Sequence, residues 1–117
     1  MNINSLRIGM FIRSDLGINR IISLMPKQTA LDFDVETEKG WIDSNIIKEF
    51  SFEIKDLIKQ GDFVNYEQVR GINKLYAGFD DIGNPQYIDK IYIYYVTTKE
   101  QFKRGEFKNE WWNKKER

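Results

Sequence analysis

Short alternations of apolar and polar positions, broken by turn-forming residues, run through most of the chain and predict β-strands. Phe11-Ile12-Arg13, Ile18-Asn19-Arg20-Ile21-Ile22, Ala30-Leu31-Asp32-Phe33-Asp34-Val35 and Trp41-Ile42 are the first such runs. Asp15-Leu16-Gly17, Met25-Pro26-Lys27-Gln28 and Glu38-Lys39-Gly40 supply the reversals between them. In the third run Leu31, Phe33 and Val35 fall on one face while Asp32, Asp34 and Glu36 fall on the other, as a half-buried antiparallel strand requires.

The second half repeats this order. Gly9-Met10-Phe11-Ile12 is echoed by Gly61-Asp62-Phe63-Val64, and Gly17-Ile18-Asn19-Arg20-Ile21 by Gly71-Ile72-Asn73-Lys74-Leu75. Phe33-Asp34 followed by Trp41-Ile42-Asp43 returns as Phe79-Asp80 followed by Tyr87-Ile88-Asp89. These echoes predict a duplicated β unit. A glycine leading an apolar pair, a turn, a second strand and a bent hairpin is the grammar of a five-stranded barrel resembling SH3, Tudor and KOW modules. The expected fold is therefore mainly β: two tandem SH3-like barrels, 1–53 and 54–97, packed as one body, with a helical tail over 98–117. The join, Ile46 to Ile58, has no proline or glycine and no serine-rich spacer, so a rigid connection is expected.

Lys90-Ile91-Tyr92-Ile93-Tyr94-Tyr95-Val96 reads as the last strand, with its tyrosines divided between core and surface. Beyond it, Thr97 with Glu100, or Thr98 with Gln101, has the spacing of a capping box, in which a hydroxyl and a carboxylate or amide each satisfy an unpaired backbone amide. A helix is predicted to begin there and to be interrupted at Gly105. A further turn or two over 106–115 would place Phe107 and Trp111 on one face.

Composition removes chemistry more than it adds any. The 117 residues include neither cysteine nor histidine, which excludes disulfides, thiolate zinc sites, and the commonest metal ligand and general base. No Ser-His-Asp or Cys-His arrangement and no glycine-rich phosphate loop is present, so the expectation is a protein that is not an enzyme and carries no metal or cofactor. No apolar run approaches the length of a membrane span, and the start lacks the regions of a signal peptide, so a cytoplasmic protein is expected. The acidic ladder Asp32, Asp34, Glu36 and Glu38 reads as a solvated strand face, and Asp80-Asp81-Ile82-Gly83-Asn84-Pro85 as a loop with turn chemistry.

Eighteen basic residues balance eighteen acidic ones, so no global field draws the chain toward nucleic acid. Two local sets remain as candidates. Arg7, Arg13, Arg20, Arg70 and Lys74 flank the repeated strands near Tyr66 and other rings, a combination suited to a small nucleotide or single-stranded nucleic acid. Trp111 and Trp112, with Phe107 and the cations Lys103, Arg104 and Lys108, suit a partner-binding surface, because adjacent tryptophans on a helix diverge by about 100° and need a second body to cover both.

Ile54-Lys55-Asp56-Leu57-Ile58-Lys59-Gln60-Gly61-Asp62-Phe63-Val64-Asn65 and Val96-Thr97-Thr98-Lys99-Glu100-Gln101-Phe102 resemble segments of small phage and mobile-element proteins of low-GC Gram-positive bacteria, which carry "DLI-x-x-GD-x-VN" and "VTKEQF"; the resemblance runs from about Leu6 to Phe102. The chain departs from them at Tyr66, where glycine often follows the asparagine, at an extra threonine before Lys99, and in its tryptophan-containing tail. Tyr66 argues against a tight two-residue turn. The resemblance implies a setting: a non-catalytic protein in a bacterial host cell that inhibits a defence component, such as a nuclease or immune effector, by direct contact, as anti-CRISPR proteins do. A homo-oligomer is expected; sequestration of a nucleotide signal and a virion structural or assembly role are the alternatives.

Overall fold

The computed structural model describes residues 3–106. The chain divides into two compact units between Leu57 and Ile58. The division falls beyond the expected 53/54 boundary because Ile54–Leu57 forms a 3-10 turn anchored to the first unit. Ser51 Oγ donates to Asp56 (2.6 Å), and Arg13 Nη1 donates to the Leu57 carbonyl (2.8 Å).

In unit 1, a 3-10 turn Ile3–Ser5 precedes β1 (Phe11–Ser14), β2 (Gly17–Leu24), β3 (Val35–Thr37) and β4 (Gly40–Ile42); a second 3-10 turn, Ser44–Ile46, leads into β5 (Glu49–Ser51). The strands form one antiparallel sheet in the order β4-β3-β2-β1-β5. Leu6, Ile12, Ile21, Val35 and Ile47 make its core, flanked by Ile3, Met10, Leu24, Ile42 and Phe50. Removal of each such aliphatic side chain from water is worth about 1.5–3 kcal/mol.

Unit 2 holds β6 (Phe63–Val64), β7 (Glu67–Arg70), β8 (Tyr76–Phe79) and β9 (Pro85–Tyr87), a 3-10 turn Ile88–Lys90, β10 (Val96–Thr97) and a helix α1 (Lys99–Lys103). Its sheet runs β10-β6-β7-β8-β9, the order of unit 1 strand for strand. Registers agree as well. Ile21 N donates to Met10 O (2.8 Å) and Gly9 N to Ile21 O; Val69 N donates to Asp62 O (2.7 Å) and Gly61 N to Val69 O. Phe11 opposes Ser51 as Phe63 opposes Thr97, and Glu36 opposes Trp41 as Tyr76 opposes Tyr87. Core positions correspond: Ile12, Ile21 and Ile47 of unit 1 match Val64, Val69 and Ile93 of unit 2, all buried.

The register corrects two of the sequence echoes. Gly17 opens β2, whereas Gly71 follows β7, and Phe33 precedes β3, whereas Phe79 closes β8. Connections of different length displaced the apparent matches; the Gly9/Gly61 and Trp41/Tyr87 echoes are the structurally equivalent ones.

Two expected strands are shorter than their patterns. Over 30–35 only Val35 is in a strand and is buried as expected, but the alternation before it fails: Leu31 is 90% exposed and Phe33 is exposed, while Asp34 is buried. Asp34 is held inside because its carboxylate accepts from Ser44 N (2.7 Å) and Ser44 Oγ (2.6 Å). Asp32 closes the preceding turn by accepting from Gln28 N and Thr29 N, both at 2.9 Å. The acidic ladder is therefore divided among separate local tasks. Over Lys90–Val96 only Val96 is in a strand. At the C-terminal end the capping box forms with Thr98 and Gln101, and α1 stops before Gly105, which has φ +77°.

Candidate functional site

The β6–β7 hairpin closes on Asn65 and Tyr66 alone, between the opposed residues Val64 and Glu67. Both have positive φ, 52° and 71°, the two-residue mirror-image turn that matches strand twist. The tight two-residue turn that Tyr66 argued against is thus present. A left-handed backbone costs an L residue about 1–2 kcal/mol, so surrounding contacts hold Tyr66 where glycine would sit without strain.

Those contacts come from the segment before β10. Asn65 N donates to Tyr95 O (2.9 Å), and Asn65 Nδ2 donates to Tyr92 O (2.7 Å). Asn65 Oδ1 accepts from Tyr94 N (2.7 Å) and Tyr95 N (3.1 Å). The Asn65 side-chain amide therefore takes up backbone groups that a longer strand would pair, and Ile91–Tyr95 lies outside any strand. Four rings gather around this clamp. Tyr66 meets Tyr95 at 4.7 Å between centroids, tilted by 43°, and Tyr92 stacks on Tyr94 at 5.8 Å and 26°. Tyr66 is 48% and Tyr92 72% exposed, so both side chains reach solvent. Asn65 and Tyr66 with Ile91–Tyr95 contain no charged side chain. Such a surface is suited to packing and hydrogen bonding, not to proton transfer or anion capture.

The residues expected from sequence are distributed differently. Tyr66 belongs to the cluster. Arg13 does not face a ligand: it is 2% exposed, with its guanidinium turned onto the Leu57 carbonyl because the 54–57 turn covers that face of β1. Arg7 is exposed and donates through Nη1 to the carbonyls of Asn4 (2.7 Å) and Leu6 (2.8 Å), beside an open cleft of about 540 Å³ that Ile3, Leu24 and Pro26 also line. Arg20 lies over the Phe11 ring, 5.0 Å from its centroid. In unit 2, Arg70 is exposed on β7 and Lys74 Nζ sits 4.3 Å from the Tyr87 centroid. Within unit 1 the three arginines thus have three separate partners.

Of the tail set, Lys103 is exposed and Arg104 Nε pairs with Glu106 (2.6 Å); Phe107, Lys108, Trp111 and Trp112 lie outside the described residues. Among the described residues no group of side chains is arranged to hold a metal ion, and no helix is long and apolar enough to cross a membrane. Tyr92, Tyr94 and Tyr95 escaped the sequence reading of the site because the stretch 90–96 looked like a strand; Asn65, a residue that tolerates left-handed backbone, was the available signal.

Comparison with known protein families, curated proteins and solved structures finds no match to this chain.

Proposed function

We propose that the chain is a non-catalytic recognition protein built from two SH3-like units, and that Tyr66, Tyr92, Tyr94 and Tyr95 of unit 2 form its partner-binding surface. The SH3-like reading rests on a four-stranded meander whose fifth strand, preceded by a 3-10 turn, returns to pair with the first, an arrangement present in both units. The binding reading rests on one observation: a bulky aromatic residue is kept at φ 71°, half exposed, at a turn position where glycine would be free of strain. Strain retained at a surface ring points to a role for the ring itself.

The two segments that resemble phage and mobile-element proteins supply the class of partner, a component of a bacterial defence system. Capture from lysate of a low-GC Gram-positive host, quantified by mass spectrometry, tests this. Wild type is expected to enrich one host protein and Tyr66→Gly, which keeps the turn and removes the ring, to lose it. Equal enrichment by both chains, or none by wild type, overturns the proposal.

A further inference from the structure

The loop over 25–34, which joins β2 to β3, is closed at its ends and fixed within. Met25 N donates to Asp34 O (2.9 Å), and the Asp34 carboxylate is itself held by Ser44. Inside the loop Asp32 Oδ2 accepts from Gln28 N and Thr29 N, and Leu31 N donates to Thr29 Oγ1 (3.2 Å). This framework holds apolar side chains in water: Leu31 is 90% exposed, and Met25 and Phe33 are each 58% exposed. One exposed apolar residue is ordinary, but several presented together on a fixed loop mark a surface that is covered in another state.

The stem of the same loop carries the opposite shape. Ile3, Leu6, Leu24 and Pro26 line the open cleft of about 540 Å³, within the range of about 300–1,000 Å³ typical of binding pockets. Arg7, on the lining, uses Nη1 for the carbonyls of Asn4 and Leu6, which fixes the guanidinium and leaves Nε and Nη2 for an acceptor. Neither Arg7 nor Asp32 makes an ion pair among the described residues.

We infer that a second copy of this chain docks on unit 1 by exchange of these two features, Leu31 and Phe33 of each protomer filling the cleft of the other and Asp32 meeting Arg7. The inference goes beyond the tyrosine surface and does not rest on it. Knob and cleft are of matching chemistry, apolar with one anion on the knob and one cation on the cleft, and a single chain carries both. They also lie side by side, since Leu24 and Pro26 belong to the cleft and to the base of the loop. Two protomers related by a two-fold axis can therefore satisfy both features at once and close as a dimer. A lipid surface suits the loop less well. Asp32 adjoins the knob, and Lys27, the one cation of the loop, is already paired with Asp43 (2.8 Å).

The area sets the strength expected. Each copy gives one knob and receives one, and with about 150–250 Å² for a large buried side chain the cover on each side falls below the about 800 Å² of a permanent interface. The dimer is accordingly a reversible one.

The test is sedimentation velocity of the full chain from about 10 μM to about 1 mM, together with isotope-filtered NOE spectra of mixed labelled and unlabelled chain. A concentration-dependent dimer is expected, with intermolecular NOEs from the Leu31 methyls to those of Ile3 and Leu24. Leu31→Asp, a change at an exposed position, should raise the dissociation constant at least about tenfold in a chain whose remaining spectrum is unchanged. Asp32→Asn keeps a side-chain oxygen for the turn, removes the charge, and should raise it about two- to fivefold. Tyr66→Gly should leave the dimer as it is, so this inference and the tyrosine reading fail separately. A chain that stays monomeric at about 1 mM, a dimer indifferent to Leu31→Asp, or intermolecular NOEs confined to other residues overturns the inference. So does a monomer whose Leu31 resonances respond to zwitterionic lipid vesicles, which would make a lipid surface the occupant.

Discussion

Replacement of Tyr66 by glycine and, separately, by alanine isolates the backbone strain from the loss of the ring, because both variants lose the contact with Tyr95. At φ 71° alanine carries the left-handed penalty of about 1–2 kcal/mol that glycine avoids. Glycine gives back about 0.5–1 kcal/mol through the greater freedom of its unfolded chain. The glycine variant should therefore be the more stable by about 0.5–1 kcal/mol, the reverse of the order at an ordinary strand or helix position. Wild type should lie near the glycine variant, since the Tyr66–Tyr95 ring pair restores about 0.5–1.5 kcal/mol. Urea unfolding followed by circular dichroism reads the difference directly, and for a unit of this size it corresponds to about 2–8 °C in Tm. An alanine variant equal to or more stable than the glycine variant would refute the left-handed turn, and with it the argument that Tyr66 is kept for its ring.

Asp62 is fully buried, with Oδ2 accepting from Lys59 N (2.7 Å) and Oδ1 from Lys99 N (2.9 Å); Asp62→Asn turns an amide donor toward one of those donors and should cost about 1.5–3 kcal/mol in urea unfolding. Gly71, at φ +99°, leaves only 2.3 Å between a new Cβ and the Lys74 carbonyl, so Gly71→Ala should lower Tm and shift backbone resonances over 71–76, which an unchanged spectrum would contradict. The Lys27 ammonium and the Asn45 amide hold the Asp43 carboxyl below its ordinary value. Because the folded state favours the ionised form, that contribution is complete above the ordinary carboxylate range and disappears as pH falls through the lowered value; carboxyl NMR should show Lys27→Met moving the titration back up.

Strand positions were legible wherever apolar alternation coincided with sheet burial, as at β1 and β2. The pattern failed where a polar side chain found a better partner inside than outside. Asp34 turned inward to Ser44 and left Leu31 and Phe33 in solvent, against the alternation. Arg13 was buried through the carbonyl of Leu57, a residue far along the chain that no local window contains. The duplication was visible because apolar types recur at core positions, but identity alone misplaced Gly71 and Phe79, since only hydrogen-bond register counts the residues that connections gain or lose. The tyrosine site was illegible for the same reason: it depends on Asn65 reaching a segment nearly thirty residues away.

That dependence on connection length makes a constructive test possible. Both units keep the same strand order and the same buried positions, so the sheet fixes where each connection emerges, and lengthening one should change its surroundings without disturbing the core. Insertion of Ser-Asp-Leu-Gly, the sequence of Ser14–Gly17, between Asn65 and Tyr66 would restore the hairpin length of unit 1 in unit 2. The far-UV circular dichroism spectrum and the exchange protection of the Val64 and Val69 amides should be retained, because these report β6 and β7. Tyr92–Tyr95 should become shielded by the new tip, and capture of the partner should vanish. A folded insertion variant that still binds would show that recognition lies elsewhere, and one that fails to fold would show that the short hairpin is required by the framework of unit 2 and was not free to serve a site.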